Sequence, residues 1–141
     1  MDLLAAQFPT GTVRSGDVLP LTLLWRSVTR LDADYTVTVR LWDTAGRMVL
    51  QTDQQPVDGF RPTSTWETGE IIRDNYALVL PADLASGYYR LTVGVYQWPS
   101  LQRLPLQAPA GLELPEPGLL LLGQVAVGVP AAPQLPYPVM R

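Results

Sequence analysis

Hydrophobic residues in this chain recur at every second position far more often than at every third or fourth, and turn residues interrupt them at short intervals. Tyr35 to Trp42 is the cleanest case: Val37, Val39 and Leu41 fall on one face, and Thr36, Thr38 and Arg40 on the other. The same alternation runs from Val18 to Val28, entered through the turn Arg14-Ser15-Gly16-Asp17. Here Leu21, Leu23 and Trp25 oppose Thr22 and Arg26. Asp43-Thr44-Ala45-Gly46 predicts a hairpin turn into a strand over Arg47 to Thr52. Glu70 to Leu80 predicts another strand, closed by Pro81-Ala82-Asp83-Leu84. Tyr88 to Trp98 follows, with Tyr89, Leu91, Val93 and Val95 inward, and a short strand around Arg103 to Gln107 pairs with it as a hairpin. Leu119 to Val129 is apolar on both faces in its first half, which predicts a central or well-covered strand. Leu3 to Phe8 adds an edge strand.

Between these strands lies a long polar connection from Asp53 to Gly69. Its Arg61-Pro62-Thr63-Ser64-Thr65-Trp66 segment predicts an ordered crossover, because floppy linkers seldom carry Trp. Residues 1–129 therefore read as one domain, and residues 130–141, with four prolines, as an extended tail or linker. Seven or eight short antiparallel strands at this spacing predict an all-β, two-sheet sandwich of immunoglobulin or fibronectin type III style, with a closed barrel as the alternative.

Leu84-Ala85-Ser86-Gly87-Tyr88-Tyr89 sharpens the fold. Gly87 allows a sharp bend, and Tyr89, two residues on, starts a strand. That is the spacing of a tyrosine corner, in which the phenol donates back to a carbonyl a few residues upstream.

Four features recur together around this corner. They are Leu21-Thr22-Leu23-Leu24-Trp25; the Leu41-Trp42-Asp43 to Gly46-Arg47 hairpin; Arg61 to Trp66 with Gly69-Glu70 and Asp74; and Gly87 to Tyr96 ahead of Arg103-Leu104-Pro105. In this combination the chain resembles the β-sandwich domains that lie C-terminal to the membrane part of bacterial, Chloroflexi-type, polyprenyl-phosphate-sugar-dependent glycosyltransferases. The resemblance spans about Leu19 to Val127. It implies an extracytoplasmic accessory domain, and either a protein partner or a parent membrane protein. Transferase activity does not carry over, because this sequence holds no run near the ~20 apolar residues of a membrane helix.

Composition narrows the chemistry. The chain has 141 residues and a net charge of −3, with ten basic side chains, all arginine and scattered. No basic stripe follows a phosphate backbone, so nucleic-acid binding is disfavoured. With no His, Cys or Lys, the chain lacks the usual general base, the thiol and amine nucleophiles and the commonest metal ligand. No cofactor or metal is expected, and no catalytic residue is assigned. Carboxylates remain. Asp53, Asp58, Glu67, Glu70 and Asp74 lie in or beside the long connection, where a glycosidase pair can be imagined. The simpler reading makes them solvated charges or partners of Arg61 and Arg73. Asp32 and Asp34 offer oxygen ligands for calcium, and turn formation explains them equally well.

Five rings are the candidate ligand-binding residues. Trp42 sits at a strand end, opposite Val39 and Leu41; Tyr88 and Tyr96 share the outward face of their strand; Trp98 follows in a hairpin loop; and Trp66 either caps the core or stands in a loop-borne pocket. The expected function is a non-catalytic accessory domain mediating protein contacts. A carbohydrate-binding module using exposed Trp and Tyr is the alternative, and a carboxylate-only glycoside hydrolase a remote one.

Overall fold

The computed structural model describes residues 1–106 and 118–131. Eight strands form two antiparallel sheets, with no α-helix among the described residues: β1 (Asp2–Gln7), β2 (Val18–Arg26), β3 (Tyr35–Trp42), β4 (Met48–Gln54), β5 (Ile72–Val79), β6 (Gly87–Gln97), β7 (Gln102–Arg103) and β8 (Leu120–Val127). One sheet has the order β1-β2-β5. The other runs β4-β3-β6, with β7 against the last residues of β6 and β8 against the first. The two sheets share no strand ladder, so the architecture is a sandwich and not a closed barrel. After β1 the chain crosses to the opposite sheet, where Val13 bridges Val127 in parallel and partly covers the outer edge of β8.

The predicted alternation sets the packing. Leu19, Leu21, Leu23 and Trp25 of β2 meet Val37, Val39 and Leu41 of β3, with Tyr89, Leu91, Val93 and Val95 of β6, in one buried cluster. The tyrosine corner forms as the spacing predicts: the Tyr89 hydroxyl donates to the Ala85 carbonyl at 2.5 Å. At the β3–β4 hairpin, Gly46 takes the left-handed conformation (φ 81°), and one Asp43 carboxylate oxygen accepts the N–H groups of Ala45 and Arg47. These bonds to Arg47 and Ala45 hold the Asp43 carboxyl below the usual carboxylate range.

Three expectations change or narrow. The polar connection starts later than predicted, because Asp53 and Gln54 extend β4 opposite Thr38 and Val37. Polarity is no bar there, since Asp53 accepts the Thr38 hydroxyl at 2.6 Å. Of the two alternatives for β8, it is well covered and not central: β6 is its only ladder partner among the described residues, and Leu120, Leu122, Val125, Ala126 and Val127 are buried. Its double-sided apolarity arises because Leu120 and Leu122 enter the core, while Leu119, just before the strand, covers the outer face of β6 at Gly94. The short strand β7 ends at Arg103, and Gln107 and residues 132–141 of the expected tail lie outside the described residues.

The connection after β4 is ordered by specific bonds. Thr63 is fully buried; its hydroxyl donates to the Ala33 carbonyl at 2.6 Å and accepts the Tyr35 N–H at 3.0 Å. The Asp34 carboxylate accepts the N–H of Ser64 at 3.0 Å. The 3-10 turn Thr63–Thr65 is thereby clamped to the start of β3, and Trp66 is delivered into the core. Burying a ring of that size contributes upwards of about 2 kcal/mol.

Candidate functional site

The five candidate rings do not act as a set. Trp66 is 1% exposed and donates its indole N–H to the Arg61 carbonyl at 2.9 Å, so it belongs to the core. Trp42 is also buried, although it points away from the core. Its indole N–H donates to the Thr92 hydroxyl at 2.9 Å across the β3–β6 pair. Trp42 therefore lies along the sheet and does not stand out from it. Tyr88 is half-buried, and its hydroxyl is spent on the Pro130 carbonyl at 2.7 Å. Tyr96 and Trp98 are brought together.

They line a cleft of about 290 Å³ on the outer face of the larger sheet, with Arg40, Gln51, Asp53, Leu101 and Arg103. Register explains the grouping. Arg40 of β3 sits opposite Gln51 of β4, Thr38 opposite both Asp53 and Gly94, and Tyr96 of β6 opposite Arg103 of β7. Alternation points all these side chains to one face. The β6–β7 turn then raises Trp98 and Leu101 beside them, 68% and 58% exposed. Leu101 stands at φ 62°, and its N–H donates to the Gln97 carbonyl at 2.7 Å. A left-handed conformation is uncommon for so bulky a residue, and here it presents a bare aliphatic side chain to the cleft.

Asp53 is the hub of the cleft floor. One of its oxygens accepts the Thr38 hydroxyl, the other accepts the Tyr96 hydroxyl at 2.8 Å, and the Gln51 amide donates to both at 3.1 Å. Arg40 Nε–H donates to the Thr38 hydroxyl at 3.2 Å. Burial, reinforced by the Asp53 carboxylate, raises the Tyr96 phenol and keeps it a donor.

Of the other carboxylates of the connection, Asp58 is exposed, and Glu67, Glu70 and Asp74 each have partners of their own. Glu70 takes a two-pronged bond from Arg61 at 2.7 and 3.0 Å, which draws its carboxyl below the usual range. Glu67 lies 3.5 Å from Arg30. Asp74 faces the core and is fully buried. It accepts the Tyr76 hydroxyl at 2.7 Å, the Val57 N–H at 2.8 Å and the Trp25 indole N–H at 3.2 Å. Desolvation raises the Asp74 carboxyl above the carboxylate range against the pull of these donors, and burial pushes the Tyr76 phenol up as well. Asp34 is occupied by the Ser64 amide, and no group of three or more acidic side chains among the described residues converges where an ion would sit.

Further clefts lie elsewhere. One of about 430 Å³ runs between the β3–β4 hairpin and the corner, bordered by Arg47, Met48, Asp83 and Tyr89. Another, of about 210 Å³, lies on the other side of Arg103, against Tyr35, Gln97 and Leu104. No described helix is long and apolar enough to cross a membrane. No family model matches the chain, and no curated protein matches it either.

Of the residues lining this cleft, sequence reasoning singled out Tyr96 and Trp98 as candidates and did not single out Arg40, Gln51, Leu101 or Arg103. Alternation alone marks Arg40 and Gln51 as outward. Only strand register shows that they stand beside Tyr96.

Proposed function

We propose that this chain is a non-catalytic accessory β-sandwich that acts by contact with a protein partner or its own parent membrane protein, outside the cytoplasm. The main support is the state of its carboxylates: Asp74, Asp53 and Glu70 each accept at least two hydrogen bonds from neighbours that hold the fold together. A hydrolytic pair needs one carboxyl left to donate and another left to attack or activate water. The resemblance to the glycosyltransferase-associated domains supports the location. A contact surface is offered on the smaller sheet, where Val18 and Val79, facing each other across β2 and β5, are 55% and 63% exposed, beside the exposed pair Pro20 and Ala77.

Two measurements test this reading. Aryl glycosides should give flat progress curves, and turnover abolished by Glu70→Gln would reverse it. Interferometry against the remaining product of the same gene and its encoded neighbours should show binding that Val79→Glu removes without lowering the melting temperature.

A second reading, a carbohydrate-binding module, is favoured by the convergence of Tyr96 and Trp98 on one cleft. A glycan-array signal lost in Trp98→Ala, with the fold intact, is its test.

A further inference from the structure

We infer that one end of the sandwich docks on a zwitterionic lipid bilayer, through the apolar loop tips Phe60, Ile71, Val28, Trp98 and Leu101. The protein contact at Val18 and Val79 lies at the other end and is independent of it. Three observations carry the inference.

The first is where the exposed apolar side chains stand. Eight large hydrophobic side chains are exposed among the described residues. Val18, Met48 and Val79 belong to the end where β2 and β4 begin and β5 finishes. The other five lie at the opposite end, where β2, β4 and β6 finish, and Phe60, at 82%, is the most exposed of all. Two contacts gather three of them. The Arg61–Glu70 pair brings the chain at Phe60 next to the chain at Ile71. The Gly69 N–H donates to the Ser27 carbonyl at 2.9 Å, which brings Val28 to the same place. The β6–β7 turn adds Trp98 and Leu101, and a Trp ring is well suited to the membrane–water boundary.

The second is the backbone of these tips. A segment that leaves water for lipid must already have its N–H groups paired. In the turn that carries Phe60, the N–H groups of Gly59, Phe60 and Arg61 donate to the carbonyls of Gln55, Val57 and Pro56, and that of Val57 to Asp74. In the β6–β7 turn the Leu101 N–H donates to the Gln97 carbonyl, the Gln102 N–H to the Ser100 hydroxyl, and Pro99 has no N–H to satisfy. Such tips offer little to a protein that docks by adding a strand, and they lose little on desolvation.

The third is charge. Three arginines at this end stand beside acids: Arg26 with Asp2 at 3.6 Å, Arg30 with Glu67 at 3.5 Å and Arg61 with Glu70 at 2.7 Å. Asp32 and Asp58 add exposed negative charge. A phosphocholine layer carries both signs and no net charge, so paired side chains rest at its level without repulsion. An anionic surface is disfavoured by the surplus of acid. Apolar tips separated by charged residues also need a partner that closes round each one, which fluid lipid does without matching pockets.

The test is co-sedimentation of the full chain with phosphatidylcholine vesicles. The wild type should sediment with the lipid, and Phe60→Ser should weaken partitioning by about tenfold or more. Met48→Gln, at the other end, should leave it unchanged, and replacing part of the lipid by phosphatidylglycerol should not strengthen it. Phosphatidylcholine brominated along its acyl chains should quench Trp98, since Trp25, Trp42 and Trp66 are buried. Partitioning that Phe60→Ser leaves unchanged, that needs phosphatidylglycerol and vanishes with salt, or that leaves tryptophan emission unquenched overturns the inference. So does a chain that ignores vesicles, including one that uses Phe60 to bind a protein or a second copy of itself.

Discussion

The carboxylate of Asp74 accepts the backbone N–H of Val57 at 2.8 Å, and Val57 stands at φ 57°, in the left-handed region where a β-branched residue is rarely found. Asp58 and Gly59 continue the same hand, at φ 53° and 83°. A buried acid reached from β5 thereby holds a strained turn that follows β4, seventeen residues earlier in the chain. Such strain persists only where surrounding bonds over-determine it.

Asp74→Asn should lower stability by about 1–3 kcal/mol, the cost of a buried group left unpaired. The amide removes a desolvated charge, which helps. It also replaces one acceptor oxygen by N–H where the Trp25, Tyr76 and Val57 donors converge. The mispaired donor outweighs the gain, because those donors already offset much of the desolvation. Urea unfolding at neutral pH measures the difference, and an unchanged midpoint would refute it.

Asp58→Gly should act the other way. Asp58 is exposed, and glycine takes a positive φ without a Cβ penalty. Its charge also disfavours ionisation of Asp74. A gain of up to about 1 kcal/mol is expected by thermal melting.

Tyr89→Phe keeps the buried ring and deletes only the bond to Ala85. The expected loss is about 1 kcal/mol, or a few degrees in Tm. No shift in Tm would mean that the corner contributes nothing beyond ring packing.

Gly94→Ala probes the cover over β6. A Cβ there would lie 2.7 Å from Leu119 Cδ2 and 3.0 Å from the Gly118 carbonyl oxygen. The leucine can turn aside, but the backbone carbonyl yields less easily, so a loss of about 1–3 kcal/mol is expected. Wild-type stability in this variant would show that the segment entering β8 does not press on the sheet.

Acid sensitivity should report Glu70. Arg61 first, then the Glu67 amide, hold its folded-state pKa below the ordinary glutamate value. A depressed carboxyl contributes stability that is complete above the unfolded pKa and lost as pH falls through the folded one. The difference in stability between wild type and Glu70→Gln should therefore be constant above about pH 5.5 and shrink steadily below about 4.5. A difference that widens on acidification would contradict the pairing.

What the sequence determined by itself is local. A period of two over Tyr35–Trp42 allows only one assignment of faces, and the Gly87–Tyr89 spacing places a phenol back over its own turn, because both depend on neighbouring residues alone. What only the tertiary structure decided depends on distant residues. Trp42 is covered because Thr92, fifty residues away, accepts its N–H. Asp74 is the sharpest case: alternation with Ile72, Tyr76 and Leu78 puts it inward, while its charge argues for solvent. The core position wins because Trp25, Tyr76 and Val57 supply donors that no local pattern reveals. The cleft is of the same kind. Tyr96 and Asp53 lie 43 positions apart, and strand register, which the long-range packing of the two sheets sets, brings them within a hydrogen bond.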